Sequence, residues 1–597
     1  MPDQLVALTA TLPREAVVEL PIHVARSLRM PEKIGSREAL IAVATWLRAR
    51  GQVSRVTDHA DRIVYQCFLG PFLGFRRQMG SFLSLLCHLP ALVQDFHMNT
   101  LLLLPIVQRG RVRPKGSTPS PFAVADHVSI DRDVVGLPAS HAPNETWRTV
   151  VDVCHFAGVS VGTILPLATI AMDAPRIAET PDLVYWWRSE PDRILTGTPV
   201  GHDGATWKVS AVPAVKATDC FVASPTSESV ASVELADGNR LFIASDAVGE
   251  HLSVANAYPD PVVGDHATYA WEDVAAIRFD DSYVPTPYDT WRESINPTAQ
   301  EFLDEVLQHP IHRDTVVLID VGEHVPSQSV AKASSGRQEF LIAEELWRFT
   351  APEPYSMVTG PLIPCVAAHW RQPHVLATSL EYHLRLLAET EDVKAFLAGA
   401  ANHDSVQVNL RVTMALLVVF WLLPDGVPFI FSGTEHGNMV ATNREFGFAG
   451  PDDRVQPLLL FNQRAIETDE TNRDLFAAFA RDLLKIRRTL RNASGHVKRR
   501  LKDVERDGLL VKAAIGDQTI VINCDAERSL DLRVSIGVRV VHHEAGAFVA
   551  PSQFSLLPRS TVVMDRSEAL ADVKLSVFHR LVLKGAINVL QAEFEAS

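Results

Sequence analysis

The sequence predicts a (β/α)8 TIM barrel with an inserted subdomain after its third strand and a carboxyl-terminal antiparallel β-sandwich. Three observations predict it. The chain has 597 residues, too many for one ordinary domain and enough for a large barrel with appendages. From about residue 60 to 490, short apolar runs of strand length alternate with longer amphipathic stretches, the pattern of parallel strands joined by crossover helices. Beyond residue 500 the helical period gives way to short alternating runs separated by turn residues. The expected division is an amino-terminal segment over 1–60, a barrel over 61–490 with an insert at about 170–265, and a sandwich domain over 491–597.

In chain order, barrel strands are expected at RIVYQCF (62–68), TLLLLPI (100–106), VSVGTIL (159–165), DVAAIRF (273–279), EFLIAEE (339–345), YSMVTGP (355–361), AFLAGAA (395–401) and GVPFIFSG (426–433). Eight runs match the strand count of such a barrel. Asn296 and Pro297 give an N-cap and a first-turn proline to a helix whose apolar stripe is Phe302, Leu303, Val306 and Leu307. A second stripe, Leu475, Phe476, Phe479, Leu483, Ile486 and Leu490, advances in steps of three and four. The run LRVTMALLVVFWLL is apolar all round and stops before Pro424, which fits a helix buried on every side. Short alternating runs such as WKVSAVPAV and NRLFIASD mark the insert. Near the end, LLVKAAI, QTIVINC, SLDLRVSI, VRVVHHE and STVVMD supply the sandwich, and SVFHRLVLKGAINVLQ predicts a closing helix.

Composition excludes several functions. Lysine and arginine total 56 against 71 acidic residues, a net charge of −15 with no basic face or tail, so a nucleic-acid partner is not expected. The six cysteines form no C-x-x-C and no paired spacing, which fits buried thiols in a reducing compartment. MPDQLVALTATLPRE lacks a basic start and a long apolar run, and the most apolar stretch, Met414 to Leu423, is half a membrane span; no membrane partner and a cytoplasmic location are expected. No G-x-x-x-x-G-K-[ST], H-E-x-x-H or strand-to-helix G-x-G-x-x-G is present. GVSVG (158–162) matches G-x-S-x-G. Here, however, a helical stretch precedes Ser160 and a strand follows it, the reverse of a nucleophile elbow, so Ser160 is expected to open a strand at the inert end of the barrel.

Barrel enzymes carry their chemistry at the carboxyl ends of the strands. Asp280 closes AAIRFD, Glu344 lies in FLIAEELW and Asp404 follows AGAANH. Carboxylates that share a cleft raise the pKa of at least one of them, while Arg278, on the same strand face as Asp280, would keep that carboxylate ionised. An ionised nucleophile beside a protonated acid is the division of labour in retaining glycosidases. Each residue alone has a plainer reading: Arg278 and Asp280 as a local ion pair, His403 and Asp404 as a helix cap, and Glu344 rivalled by Glu345 and by Glu323 in TVVLIDVGEH.

The series NTLLLLPI, SPFAVADHVSID, VAAIRFDD, FLIAEELW, ANHD and LPDGVPFIFSGTEHG resembles, in order and spacing, the signature regions of the α-amylase superfamily over about residues 62–490. KGSTPSPFAVADHVSID, CHFAGVSV and AETPDLVYWWR look most like bacterial maltosyltransferases and 4-α-glucanotransferases. The resemblance implies Asp280 as nucleophile, Glu344 as acid/base and Asp404 as transition-state stabiliser, with Arg278, His403, Phe122 and Asp126 on the substrate side. It further implies transfer of α-glucosyl units between α-1,4-glucans or maltooligosaccharides, without metal or organic cofactor. Hydrolysis, or a silent scaffold on the same fold, are the alternatives. The third strand departs from the pattern, with Ile164, Ala168 and Thr169 where the superfamily carries polar site residues.

Overall fold

The computed structural model describes residues 1–111 except 77, 121–180 except 123, 168, 172 and 173, 297–402 except 321–326 and 345–347, 410–437 and 469–493. It also describes the short strands at 186–187, 232–234, 240–243, 266–268 and 283–284, and 501–565 except 516–517, 526, 534–538, 543–547, 550–552 and 557. Its centre is a closed barrel of eight parallel strands: Val64–Cys67, Thr100–Leu103, Ser160–Pro166, Val316–Asp320, Leu341–Ala343, Met357–Val358, Ala395–Ala398 and Gly426–Phe431. The eighth strand closes on the first, with Phe429 opposite Val64.

Seven of these strands match the expected runs, the third overrunning its own by one residue to Pro166. The fourth does not. Val316–Asp320 fills that place, with a five-residue ladder to the third strand from Val316 opposite Gly162 to Asp320 opposite Pro166. Residues 273–279, expected there, lie outside the described residues. Two local features fit Val316–Asp320 to this position. A Cβ on Gly162 would stand 1.9 Å from the Val316 carbonyl oxygen, so only glycine lets the two backbones approach this closely. The Arg337 guanidinium donates to the carbonyls of Leu307, His312 and Thr315, tying the strand's start to the preceding helix, Pro297–Gln308.

Alternation divides the barrel's side chains between two cores. Val64, Leu102, Ile164, Leu318, Ile342, Leu397 and Phe429 fill the interior, whereas Val317, Ile319, Leu341 and Ala343 face the surrounding helices. At the amino ends of the strands, buried Arg62 donates to Thr100 Oγ1 at 3.1 Å and Ser160 Oγ at 3.3 Å, and its guanidinium lies 4.1 Å from the Phe340 ring centroid. Ser160 therefore sits on the barrel floor.

Between the third and fourth strands, Ser232–Glu234, Arg240–Ile243, Trp186–Trp187 and Tyr283–Val284 form an antiparallel sheet in that order, and Thr169–Ala171 pairs with His266–Thr268. The carboxyl-terminal unit has a six-stranded antiparallel sheet beginning with Leu501–Asp507 and Leu510–Ile515, plus the pair Leu530–Arg533 and Gln553–Leu556. Thr561 Oγ1 fastens it to the barrel by donating to the Ala415 carbonyl at 2.7 Å. Ala415 lies on helix Leu410–Leu422, buried on all sides as its composition requires. The final helical stretch, 576–591, lies outside the described residues. At the amino terminus, helices Ile22–Leu28 and Ser36–Arg50 pack on helix Phe82–Phe96. No described helix is long and apolar enough to cross a membrane.

Candidate active site

Glu344 directly follows the fifth strand, is 1% exposed, and its backbone N–H donates to the Ile319 carbonyl at 3.0 Å. The ladder below it pairs Leu318 with Ile342 and Ile319 with Ala343. The next step of that register brings Asp320 beside Glu344. Leu318 and Ile342 belong to the interior core, and two residues further on Asp320 and Glu344 keep that inward phase. Neighbouring strands lie about 4.8 Å apart, so the two side chains start from backbone positions one strand spacing apart. Thr359 completes this side of the mouth, its N–H donating to the Ala343 carbonyl at 3.0 Å.

Asp320 is a further acid at a strand end that local pattern does not single out, because Arg278 makes 273–280 the more persuasive strand end. The signal was nonetheless present in TVVLIDVGEH, an apolar run that closes on an acid. In this strand Leu318 occupies the position that Arg278 holds relative to Asp280. Arg278, Asp280, Glu323, His403 and Asp404 lie outside the described residues. Asn402, just before His403, is buried beyond the seventh strand.

Phe122 is half-buried and packs against the interior core, near the mouth. Asp126 lies on strand Val124–Ile130 in a hairpin with Val107–Arg109, where its Oδ1 accepts from the Val128 N–H at 2.9 Å. Two buried histidines pin this hairpin to the barrel. His127 Nε2 donates to the Pro166 carbonyl at 2.8 Å, and His312 Nε2 donates to the His127 carbonyl at 2.6 Å. Burial pushes His127 down to about 4 and His312 to about 3. Both rings are therefore neutral, and their carbonyl partners fix the proton on Nε2. Pro166 is the register partner of Asp320, so the hairpin carrying Phe122 and Asp126 is anchored one strand away from the carboxylate pair.

Other chemistries have little support among the described residues. Ile164 is fully buried in the interior core. No described group of three histidine, cysteine or acidic side chains is arranged to hold a metal ion. Burial raises the Cys67 thiol well above its ordinary range and pushes Cys87 and Cys154 up to about 12, so none is a ready nucleophile.

No family model and no curated protein sequence matches the chain. Solved structures do. Trehalose-6-phosphate hydrolase of Bacillus licheniformis superposes with a TM-score of 0.55 at 12% identity, covering 85% of this chain and 99% of its own. The chain has the α-amylase fold. An α-amylase of Lactobacillus plantarum gives a TM-score of 0.53 at 14% identity, with 85% and 99% covered. A noncanonic maltogenic α-amylase of Thermotoga neapolitana gives 0.52 at 15% identity, with 85% and 98% covered. In this α-amylase fold, Asp320 and Glu344 lie at the carboxyl ends of the fourth and fifth barrel strands.

Proposed function

We propose that this chain is an α-glucan-active enzyme of the α-amylase superfamily that works by double displacement and passes glycosyl units to a sugar acceptor. The observation that carries the reading is the carboxylate pair on adjacent strands, Asp320 and Glu344, over an apolar barrel interior. Asp320 attacks the anomeric carbon of an α-linked glucose while Glu344 protonates the departing glycosidic oxygen, giving a β-glycosyl-enzyme. Glu344 then takes the proton of an incoming sugar hydroxyl, which displaces Asp320 and restores the α-linkage. Asp404 holds hydroxyls of the distorted ring, His403 and Arg278 bind on the substrate side, and Phe122 offers a stacking face. Asp280 and Glu323 are the competing assignments for nucleophile and acid/base.

Maltosyl or longer transfer between α-1,4-glucans is the preferred output, drawn from the likeness of the sequence to maltosyltransferases. Buried free thiols at Cys67, Cys87, Cys154, Cys365 and Cys524 support a reducing, cytoplasmic setting. Incubation with maltoheptaose tests the reading. Redistributed chain lengths support transfer, short products alone indicate hydrolysis, and unchanged substrate supports the silent-scaffold alternative, which apolar Leu318 and Ile164 favour. Full activity in Asp320→Asn with loss in Asp280→Asn moves the nucleophile to Asp280, and the pair Glu344→Gln and Glu323→Gln decides the acid in the same way.

A further inference from the structure

A buried polar cluster lies where the amino-terminal helices meet the barrel, and no step of the chemistry above uses it. Three imidazoles come together there from separate elements: His23 on helix Ile22–Leu28, His88 on helix Phe82–Phe96, and His436 in the turn Thr434–His436 after the eighth strand. The His23 ring centroid is 5.5 Å from that of His88 and 5.9 Å from that of His436. Helix Glu470–Ala493 closes the cluster, with Glu470 Oε1 2.9 Å from His23 Nδ1 and Arg473 Nη1 donating to Asp95 Oδ2 at 2.8 Å. His436 Nδ1 donates to the Asp469 carbonyl at 3.0 Å, so the residue leading into that helix also holds the turn at the barrel's mouth.

The cluster is under-bonded. His23 and His88 are 8% and 2% exposed, and among the described residues neither ring nitrogen of His88 has a hydrogen-bond partner. Glu470 Oε2 and Arg473 Nη2 are likewise buried without one. Polar atoms left so cost free energy, and a proton arriving at His88 would find no acceptor in place.

The charged and titratable groups facing these rings come from every element around them. Helix Ile22–Leu28 contributes Arg26, bonded to Asp474 at 2.9 Å, and helix Phe82–Phe96 contributes Asp95. The turn contributes Glu435, which accepts from the Tyr65 hydroxyl at 2.6 Å with Cys67 nearby on the same strand. The closing helix contributes Glu470, Arg473 and Asp474. Burial first, then the Arg473 guanidinium and neighbouring imidazoles, hold His23 and His88 well below the ordinary histidine range.

We propose that the cluster is an acid-operated latch, in which protonation of His23 and His88 is coupled to release of helix Ile22–Leu28 from helix Glu470–Ala493 and from the turn after the eighth strand. The docked form keeps both rings neutral, and the released form titrates near 6.5. As pH falls below that value, protons bind preferentially to the released form, and its ratio to the docked form grows about tenfold per histidine per pH unit, about 100-fold for the pair. The latch stands apart from the carbohydrate reading, and its test needs no substrate.

Hydrogen–deuterium exchange of the full chain between about pH 7 and pH 5, corrected for the intrinsic pH dependence of amide exchange, reads the release directly. Below about pH 6.5, protection over residues 17–30 should fall by up to about 100-fold per pH unit while the barrel strands hold theirs, and the double variant His23→Gln, His88→Leu should flatten that fall. Equal loss of protection in the barrel, or an unchanged fall in the double variant, overturns the latch. Exchange at the imidazole C2 positions of the unmodified protein keeps the test decisive if the variant does not fold: midpoints for His23 and His88 at or above about 6.5 overturn the proposal. So does zinc-dependent stabilisation abolished by His88→Leu, which would make the cluster a metal site.

Discussion

At the amino-terminal end of the barrel, Arg62 is buried with its guanidinium shared among Thr100, Ser160 and the face of Phe340. At the carboxyl-terminal end, two acids of like sign, Asp320 and Glu344, stand at adjoining positions of the same register. The floor spends one charge on hydroxyls and a ring that suit it, and burial brings the Arg62 pKa down only to about 10, leaving it cationic at neutral pH. The mouth sets two carboxyl groups at neighbouring strand ends. Arg62 is a buried cation whose pKa burial lowers and whose Nε has no hydrogen-bond partner among the described residues, whereas the mouth sets one buried acid, Glu344, beside the half-buried Asp320.

The sharpest way to break this comparison is at the mouth. Glu344→Gln should lower turnover about 100- to 10,000-fold, and Asp320→Asn at least as much, while leaving the denaturation midpoint unchanged or raised. A variant that loses stability instead of turnover would make the mouth resemble the floor. At the floor, Arg62→Ala should cost about 3 kcal/mol by removing two hydrogen bonds and opening a cavity under the interior core, measured by chemical denaturation. Activity of the folded fraction should persist.

Between the two ends, Gly162→Ala should cost about 2 kcal/mol, because the new methyl meets the Val316 backbone and not a side chain that can move aside. The smallest effect is expected beside the mouth. His127→Phe keeps the ring but removes the donor to the Pro166 carbonyl, costing about 1 kcal/mol at neutral pH. The same variant carries a pH signature. His127 and His312 titrate lower in the fold than in the unfolded chain, so the unfolded chain binds more protons as pH drops from about 6.5 toward about 4, and stability falls over that window. His127→Phe should make the fall shallower, read from unfolding curves at successive pH values.

The sequence made the strands legible wherever an apolar run stood alone between polar stretches, as TLLLLPI and GVPFIFSG do. It was less informative where two runs competed for one place. DVAAIRFD and TVVLID are both apolar and both end in aspartate, and local pattern does not rank them. The contact that fits the latter, Gly162 against Val316, joins residues far apart in the chain. The same non-local choice explains the site. The strand before Glu344 is legible in the sequence, while Asp320 competes with Asp280, which the neighbouring Arg278 favours. The two glycines of GVSVG have structural uses: Gly158 takes a left-handed φ of 81° after helix Pro143–Phe156, and Gly162 admits the neighbouring strand. The buried histidines carried no local signal, since their partners come from helices hundreds of residues apart.

The long excursion between Pro166 and Val316 departs from one strand and returns on the strand hydrogen-bonded to it. Its departure is also on the side of the barrel where Asp320 and Glu344 stand. Evolution can therefore lengthen, trim or exchange that excursion like a tool bit in a fixed chuck. The ring of strands would not need to be redrawn, and what the mouth accepts could change while the residues at the strand ends stay as they are.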